Sequence, residues 1–224
     1  MQSRNRLIVA IDRSSREEIL RLVGELHGVA DLFKIGLQAF IANGPSIVRE
    51  ITARGEKVFL DLKIHDIPNT ASKAVAEAAA CDASMVTVHA SGGEAMLRAC
   101  ALATPLILGV TLLTSIDDRE LRRIGFASTT TDTAVKLAVL AQKSGLRGVV
   151  ASPHDIESIR RACGDDLIIV APGIRVNGST DDQRRTATPA AAIAAGADYI
   201  VVGRPITAAA DPRSAAQAIV DSMC

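Results

Sequence analysis

Residues 57–80 read KVFLDLKIHDIPNTASKAVAEAAA, and this stretch contains the repeating unit on which the predicted fold is built. It begins with an apolar run, residues 57–63, whose length and composition are typical of a buried strand. After a turn that contains a proline, residues 67–80 have the alanine-rich, helix-spaced pattern of an amphipathic helix. A strand followed by a helix is the unit from which parallel sheets are assembled.

The same alternation extends in both directions along the chain. Short apolar runs predict further strands at residues 6–12, 31–36, 84–90, 105–111, 147–152, 166–173 and 198–203. Helical patterns include residues 15–27, 131–145, 152–164 and 188–197, and residues 115–125 predict an additional helix after the fifth strand. Eight strands alternating with helices predict an α/β protein, a (β/α)₈ TIM barrel formed by one domain over residues 1–224. An open doubly wound sheet is the alternative, which the lack of a GxGxxG turn after the first strand disfavours.

Composition narrows the class of function. The 224 residues are 48% hydrophobic but only 2% aromatic, which suits parallel strands covered by helices better than a base-stacking surface. With 25 basic and 25 acidic residues the formal charge is zero, so nucleic acid and membranes are not expected partners. The four cysteines are scattered and the N-terminus lacks a signal-peptide core, so we expect a cytoplasmic protein.

Polar side chains are concentrated where the predicted strands end, which is where barrels carry their catalytic groups. Asp61 and Lys63 are two residues apart and therefore project to one face of a strand, and Lys34 ends the neighbouring strand. The pattern indicates either a structural ion-pair network or a catalytic array of alternating charge, and the strand-end placement favours the array. The strand-end residues are Asp12, Lys34, Asp61, Lys63, Asp66, His89, Thr114, Ser115, Pro172, Gly173, Gly203 and Arg204.

Another part of the barrel mouth has the features of an anion site. Gly203 permits close backbone approach, Arg204 provides a guanidinium fork, and the loops after the last two strands commonly hold phosphate in barrels. A helix-capping role for Arg204 is the alternative. Residues 174–189 form a long polar loop that we interpret as a lid, in which Gln183 and the two arginines after it are available to fold over a phosphate. No pair of histidines has metal-ligand spacing, so no metal site is predicted.

Short motifs that occur in order between Val9 and Thr207 resemble one family over nearly the whole chain. They are VAID, FKIG, DLKIHDIPNT, VHASGG, VTLLTS, APGIR, DQRR and VVGRPIT. Together they resemble the orotidine 5′-phosphate decarboxylase family, in its bacterial type. Related Mg²⁺-dependent sugar-phosphate decarboxylases and aldolases share the D-x-K-x-x-D core but place a glutamate at the end of the second strand. Lys34 occupies that position here, which favours the metal-free decarboxylase; a non-catalytic phosphate-binding barrel is the remaining alternative.

The resemblance implies that the protein converts orotidine 5′-phosphate to UMP and CO₂ in pyrimidine biosynthesis, without a cofactor, through a carbanion at C6. It implies that Lys63 stabilises and protonates this carbanion and that Asp61 lies near the substrate carboxylate. Lys34 and Asp66 would complete the array. The resemblance also implies a homodimer in which Asp66 and Thr70 are contributed to the neighbouring subunit's site.

The resemblance further implies a set of substrate-binding residues around the same mouth. Pro172, at the end of the seventh strand, is counted with them because of its position. The sequence leaves open whether Thr114 or Ser115 contacts the base. The implied contacts are to the ribose from Asp12, to the phosphate from Gln183, Gly203 and Arg204, and to the pyrimidine from Thr114 or Ser115.

Overall fold

The computed structural model describes residues 6–175 and 186–223. Its strands pair in parallel and in sequence order, and the last pairs with the first, so the sheet closes into an eight-stranded barrel. The predicted single-domain (β/α)₈ barrel is confirmed, and the open doubly wound alternative is wrong. The strands are β1 (Leu7–Ala10), β2 (Leu32–Gly36), β3 (Lys57–Ile64), β4 (Met85–His89), β5 (Leu106–Val110), β6 (Gly148–Val150), β7 (Ile168–Ala171) and β8 (Tyr199–Val202).

Helices connect the strands and pack on the outside of the barrel. Several begin at a polar cap: Ser15, Asp117 and Thr129 each accept a hydrogen bond from a backbone N–H of the first turn. The additional helix predicted after the fifth strand is present as α6. The helices are α1 (Arg16–Leu26), α2 (Leu37–Asn43), α3 (Ser46–Thr52), α4 (Pro68–Ala79), α5 (Glu94–Ala101), α6 (Asp118–Arg123), α7 (Thr130–Lys143), α8 (Ile156–Cys163), α9 (Pro189–Ala194), α10 (Arg204–Thr207) and α11 (Pro212–Asp221).

Successive side chains of a strand point to opposite faces of the sheet, so the apolar residues form two layers, one inside the barrel and one between the strands and the helices. In β1, Leu7 and Val9 belong to the large core between strands and helices, whereas Ile8 and Ala10 face the barrel interior. A side chain two residues after a member of this interior layer therefore points into the carboxyl end of the barrel. The interior layer consists of Ile8, Ala10, Leu32, Phe59, Met85, Leu108, Val170 and Val201.

The predicted lid, residues 174–189, lies largely outside the described residues, and so do Gln183 and the two arginines that follow it. Only the base of this segment is described. Ile174 and Ala187 form a parallel bridge, and the N–H of Arg175 donates to the carbonyl of Ala187. A lid function stays a prediction.

In the part of the chain that the structure describes, no helix is both long enough and apolar enough to cross a lipid bilayer.

We expect Gly148→Ala to lower the free energy of unfolding by about 2 kcal/mol, because the small residue lets β6 pack closely between its neighbours. A Cβ there would lie 2.7 Å from Cδ2 of Leu108 and 2.8 Å from the carbonyl oxygen of Ile168. Gly24 of α1 is the matched control, since a Cβ there meets nothing within 4 Å. Gly24→Ala is expected to raise the same free energy by about 0.5–1 kcal/mol.

Both free energies are measured by urea unfolding at one fixed protein concentration. If Gly148→Ala proved as stable as Gly24→Ala, the close packing of β6 against β5 and β7 would be contradicted.

Candidate active site

The carboxyl ends of the strands enclose a cavity of about 250 Å³. Asp12, Lys34 and Asp61 each lie two residues after a member of the interior layer, so the two-residue period of a strand points them into this cavity. Lys63 joins them from the end of β3. The other lining residues are Ala10, Phe59, Val110, Leu112, Leu113, Thr114, Val150, Pro172, Gly173, Arg175, Val201, Gly203 and Arg204.

Four charged side chains alternate in sign along one side of the cavity. Nζ of Lys34 lies 3.1 Å from Oδ1 of Asp12 and 3.7 Å from Oδ2 of Asp61. Nζ of Lys63 lies 2.7 Å from the same Oδ2. A single carboxylate oxygen of Asp61 therefore faces two ammonium groups. The chain thus brings together three of the four predicted catalytic residues, namely Lys34, Asp61 and Lys63.

Asp61 is a buried carboxylate, with 8% of its surface exposed. Burial by itself would raise its pKa, but the charges of Lys34 and Lys63, together with hydrogen bonds from Lys63 and Thr87, hold that pKa below its ordinary value. Asp61 is therefore ionised at neutral pH. An ionised carboxylate with two ammonium groups, fixed before any ligand binds, forms a preorganised electrostatic field.

Thr87 of β4 contacts the charged array and was not predicted from the sequence. Its side chain is fully buried. Its hydroxyl donates to Oδ1 of Asp61 at 2.9 Å and accepts from the backbone N–H of Lys63 at 2.9 Å. A signal was present in the sequence: Thr87 comes two residues after the inward-facing Met85 and stands between Val86 and Val88, where a buried polar side chain needs a partner.

His65 and His89 lie near one another at the ends of β3 and β4, with ring centroids 5.4 Å apart. Neither is among the residues that line the cavity. Burial, and then the neighbouring His65 and Lys63, lower the pKa of His89, so this imidazole is neutral at pH 7.

Within residues 6–175 and 186–223, no group of three His, Cys, Asp or Glu side chains is placed to hold a metal ion.

Asp66 and Thr70 are the two predicted site residues that this chain does not bring to its own cavity. Both are exposed, and neither is a lining residue. Oδ1 of Asp66 accepts a hydrogen bond from the N–H of Ile67, in the turn before α4. A surface position is what a contribution to a neighbouring subunit requires, and that contribution stays a prediction.

The predicted anion-binding residues Gly203 and Arg204 line the cavity next to β8, three strands away from β3 around the barrel. Pro172, Gly173, Gly203 and Arg204 are all lining residues. Arg175 also lines the cavity and was not assigned a role from the sequence, although it ends the strand-end motif APGIR. Two guanidinium groups near one wall suit an anion with several oxygens, because each guanidinium presents a fork of donors.

Thr114 lines the cavity, whereas Ser115 is not among its lining residues and lies in a separate surface pocket with Asp117 and Arg119. Thr114 is therefore the better placed of the two alternatives for contact with a ligand. The wall near it is aliphatic, and an apolar wall with a few polar groups is typical of sites for small organic ligands. Its apolar members include Val110, Leu112, Leu113 and Val150.

Comparisons with known proteins give one consistent assignment. Residues 5–219 match the model of the Orotidine 5′-phosphate decarboxylase / HUMPS family. The orotidine 5′-phosphate decarboxylase of Syntrophotalea carbinolica is 46% identical, over 100% of this chain and 96% of the relative. That of Moorella thermoacetica is 45% identical, over 98% of this chain and 92% of the relative. The crystal structure of the Lactobacillus acidophilus orotidine 5′-phosphate decarboxylase matches with a TM-score of 0.87 and 35% identity, over 98% of this chain and 99% of that one. The chain therefore belongs to the orotidine 5′-phosphate decarboxylase / HUMPS family.

Proposed function

We propose that this protein decarboxylates orotidine 5′-phosphate to UMP and CO₂ in the pyrimidine biosynthesis of the cytoplasm, and that it uses no cofactor. The family and the names of relatives that are 46% and 45% identical over nearly the whole chain support the reaction. The observation that carries the chemistry is the arrangement of Lys34 and Lys63 around one carboxylate oxygen of Asp61.

The chemical demand of the reaction matches this arrangement. Decarboxylation breaks the bond between C6 of the pyrimidine and its carboxyl carbon, and the electron pair of that bond remains on C6. Without an electron sink, the stabilisation has to come from positive charge that is already in place. Lys63 is proposed to lie beside C6, where its ammonium group stabilises the developing carbanion. It then donates the proton that forms the new C6–H bond, while CO₂ departs.

Asp61 has two proposed effects on this step. Its 2.7 Å hydrogen bond from Nζ fixes the position of the Lys63 ammonium group. Its negative charge also faces the carboxylate of the bound substrate. Two anions about 4 Å apart repel each other by about 4 kcal/mol at an effective dielectric constant near 20, and the loss of neutral CO₂ removes that repulsion. Lys34 lies between Asp61 and Asp12 and limits the repulsion between these two carboxylates.

The remaining lining residues are proposed to hold the nonreacting parts of the substrate. Asp12 is assigned to a ribose hydroxyl and Thr114 to the pyrimidine. Arg204, Gly203 and Gln183 are assigned to the phosphate, and the position of Arg175 in the cavity lining supports it as a further phosphate ligand. Binding energy from the phosphate is available to hold the ring against the charged array, which raises the rate and not only the affinity.

The removal of Lys63 and the removal of metal test the reaction and its mechanism. Wild-type protein is expected to consume orotidine 5′-phosphate in an ultraviolet assay without added metal and equally well with EDTA. Lys63→Ala is expected to abolish this turnover, because both the cation and the proton donor are lost. The control is Lys57→Ala, an exposed lysine at the opposite end of the same strand, which should retain wild-type activity.

Each component of the assay has its own adverse outcome. Substantial activity in Lys63→Ala would argue against its role as general acid. Loss of this activity in EDTA would contradict a decarboxylation that uses no metal. A wild-type protein without any turnover of orotidine 5′-phosphate would favour one of the two alternatives, a Mg²⁺-dependent sugar-phosphate enzyme or a phosphate-binding barrel that performs no catalysis.

The phosphate assignment predicts a combined kinetic effect at Arg204. We expect Arg204→Ala to raise KM and to lower kcat/KM by on the order of 100-fold or more, because a charge-assisted contact to the phosphate is lost. Arg98→Ala is a suitable control, since Arg98 is an exposed residue of α5 that pairs with Glu94 of the same helix. Kinetics of Arg204→Ala that matched those of the control would remove Arg204 from the phosphate site.

A homodimer with shared sites is part of the proposal. The exposure of Asp66 and Thr70 supports it, because these residues stay outside the cavity of their own chain. Exposed apolar side chains on the segments after β2 and β3 give further support, since exposed apolar surface is typical of interfaces between subunits. These are Leu37 (51% exposed), Ile41 (78%) and Ile67 (67%).

Mixed dimers test the sharing of sites. Lys63→Ala subunits mixed with Asp66→Ala subunits should regain about one quarter of the wild-type activity, because half of the randomly formed dimers are mixed and each of these has one intact site. The control mixes Lys63→Ala with Asp61→Ala. Both of these residues belong to the same chain's array, so this mixture is expected to stay inactive. The shared-site proposal fails if the first mixture recovers no more activity than the second.

A further inference from the structure

Strands β3 and β4 are paired in a register that shifts within the strands. Leu60 pairs with Val86 and Ile64 pairs with Val88, so residues 61–63 of β3 stand opposite the single residue Thr87 of β4. This is a bulge in β3, and bulges next to active sites redirect side chains. Both Asp61 and Lys63 lie within it.

One atom of Thr87 forms hydrogen bonds with both Asp61 and Lys63. Its Oγ1 accepts the hydrogen bond of the Lys63 backbone N–H at 2.9 Å and donates its own proton to Oδ1 of Asp61 at 2.9 Å. A backbone N–H can only donate and an ionised carboxylate can only accept, so the direction of both hydrogen bonds is determined. Because Thr87 is fully buried, water does not compete for either contact.

Lys63 needs a restraint of this kind. Its backbone φ is +51°, in the left-handed region that residues with a side chain seldom adopt. A strained conformation persists only where the surrounding structure holds it, and such conformations are concentrated at functional sites. In this conformation Nζ reaches Oδ2 of Asp61, the same carboxylate whose Oδ1 is bound by Thr87.

We propose that Thr87 is a positioning residue for the decarboxylation: its buried hydroxyl holds the carboxylate of Asp61 and the strained backbone of Lys63 in the geometry that the reaction needs. The inference rests on the roles proposed above for these two residues. Thr87 is not among the cavity-lining residues, so it acts through Asp61 and Lys63 and not on the substrate. With Oδ1 bound to Thr87, Oδ2 faces both ammonium groups before the substrate arrives.

The test compares variants with and without the hydroxyl. Thr87→Val keeps the shape of the side chain but removes the hydroxyl, and it is expected to lower kcat by on the order of 100-fold, the loss that a misplacement of about 1 Å can cause. Thr87→Ser keeps the hydroxyl, and its kcat should stay within a few-fold of wild type. The Kd for UMP, measured by calorimetry, should change little in both variants because the proposed phosphate and ribose contacts lie elsewhere in the cavity.

Thr111 provides a matched control for the loss of a buried hydroxyl. It is 2% exposed, lies directly after β5, and donates to the Val150 carbonyl at 3.0 Å. Thr111→Val should lower the melting temperature about as much as Thr87→Val but leave kcat within a few-fold of wild type. If Thr87→Val does not fold, Thr87→Ala replaces it, since the smaller side chain removes the hydroxyl without any steric conflict.

Two results would overturn the proposal. One is a kcat for the hydroxyl-free Thr87 variant that equals that of Thr87→Ser. The other is an equal loss of kcat in Thr87→Val and Thr111→Val, which would assign Thr87 a structural role only. Failure of the underlying mechanism would look different, because Lys63→Ala would then retain activity whatever the Thr87 variants do.

Discussion

The ionised carboxylate of Asp61 is the group on which the rest of the site depends. Burial alone would favour its neutral form, and the ammonium groups of Lys34 and Lys63 reverse that preference. In turn, the two ammonium groups that converge on one oxygen atom repel each other, and their attraction to the carboxylate offsets this repulsion. The barrel supplies the frame for this arrangement, because backbone hydrogen bonds fix β2 against β3 with Gly36 paired to Asp61.

Much of this arrangement was predictable because strands in a barrel obey a simple geometric rule. Side chains alternate between the interior and the helix layer, and the last inward positions form the mouth. Asp61 could therefore be placed beside Lys34 from the sequence alone, since both follow apolar runs at the same relative position. The eight strands were likewise found from apolar runs, although several are shorter than predicted. The strand predicted at residues 6–12 is one of these: β1 covers Leu7–Ala10, and Asp12 lies beyond its paired part.

Other features depend on contacts that no local pattern encodes. The register shift in β3 and the left-handed backbone of Lys63 lie where β3 pairs with β4, and the contacts there join residues 24 positions apart, such as Lys63 and Thr87. The position of Thr87 in a mostly apolar strand marks it as a buried polar residue, but its partners Asp61 and Lys63 are known only from the pairing of β3 with β4. Whether Thr114 or Ser115 lies in the cavity depends on the path of the loop after β5. Of the two, only Thr114 is among the cavity-lining residues. Asp66 and Thr70 involve a second chain, whose surface a single sequence does not describe.

In β3, alternate side chains point into the barrel, and this alternation also constrains how the protein can change over evolutionary time. A substitution at residue 61 or 63 alters the chemistry of the mouth but leaves the packing of Val58 and Leu60 against the helices intact. A single inserted or deleted residue between Phe59 and Asp61 would rotate the charged residues into the apolar helix layer, because a shift of one position reverses the face of a strand. New chemistry at this site is therefore accessible through point substitutions and loop changes, whereas a one-residue length change just before Asp61 would remove the charged residues from the mouth.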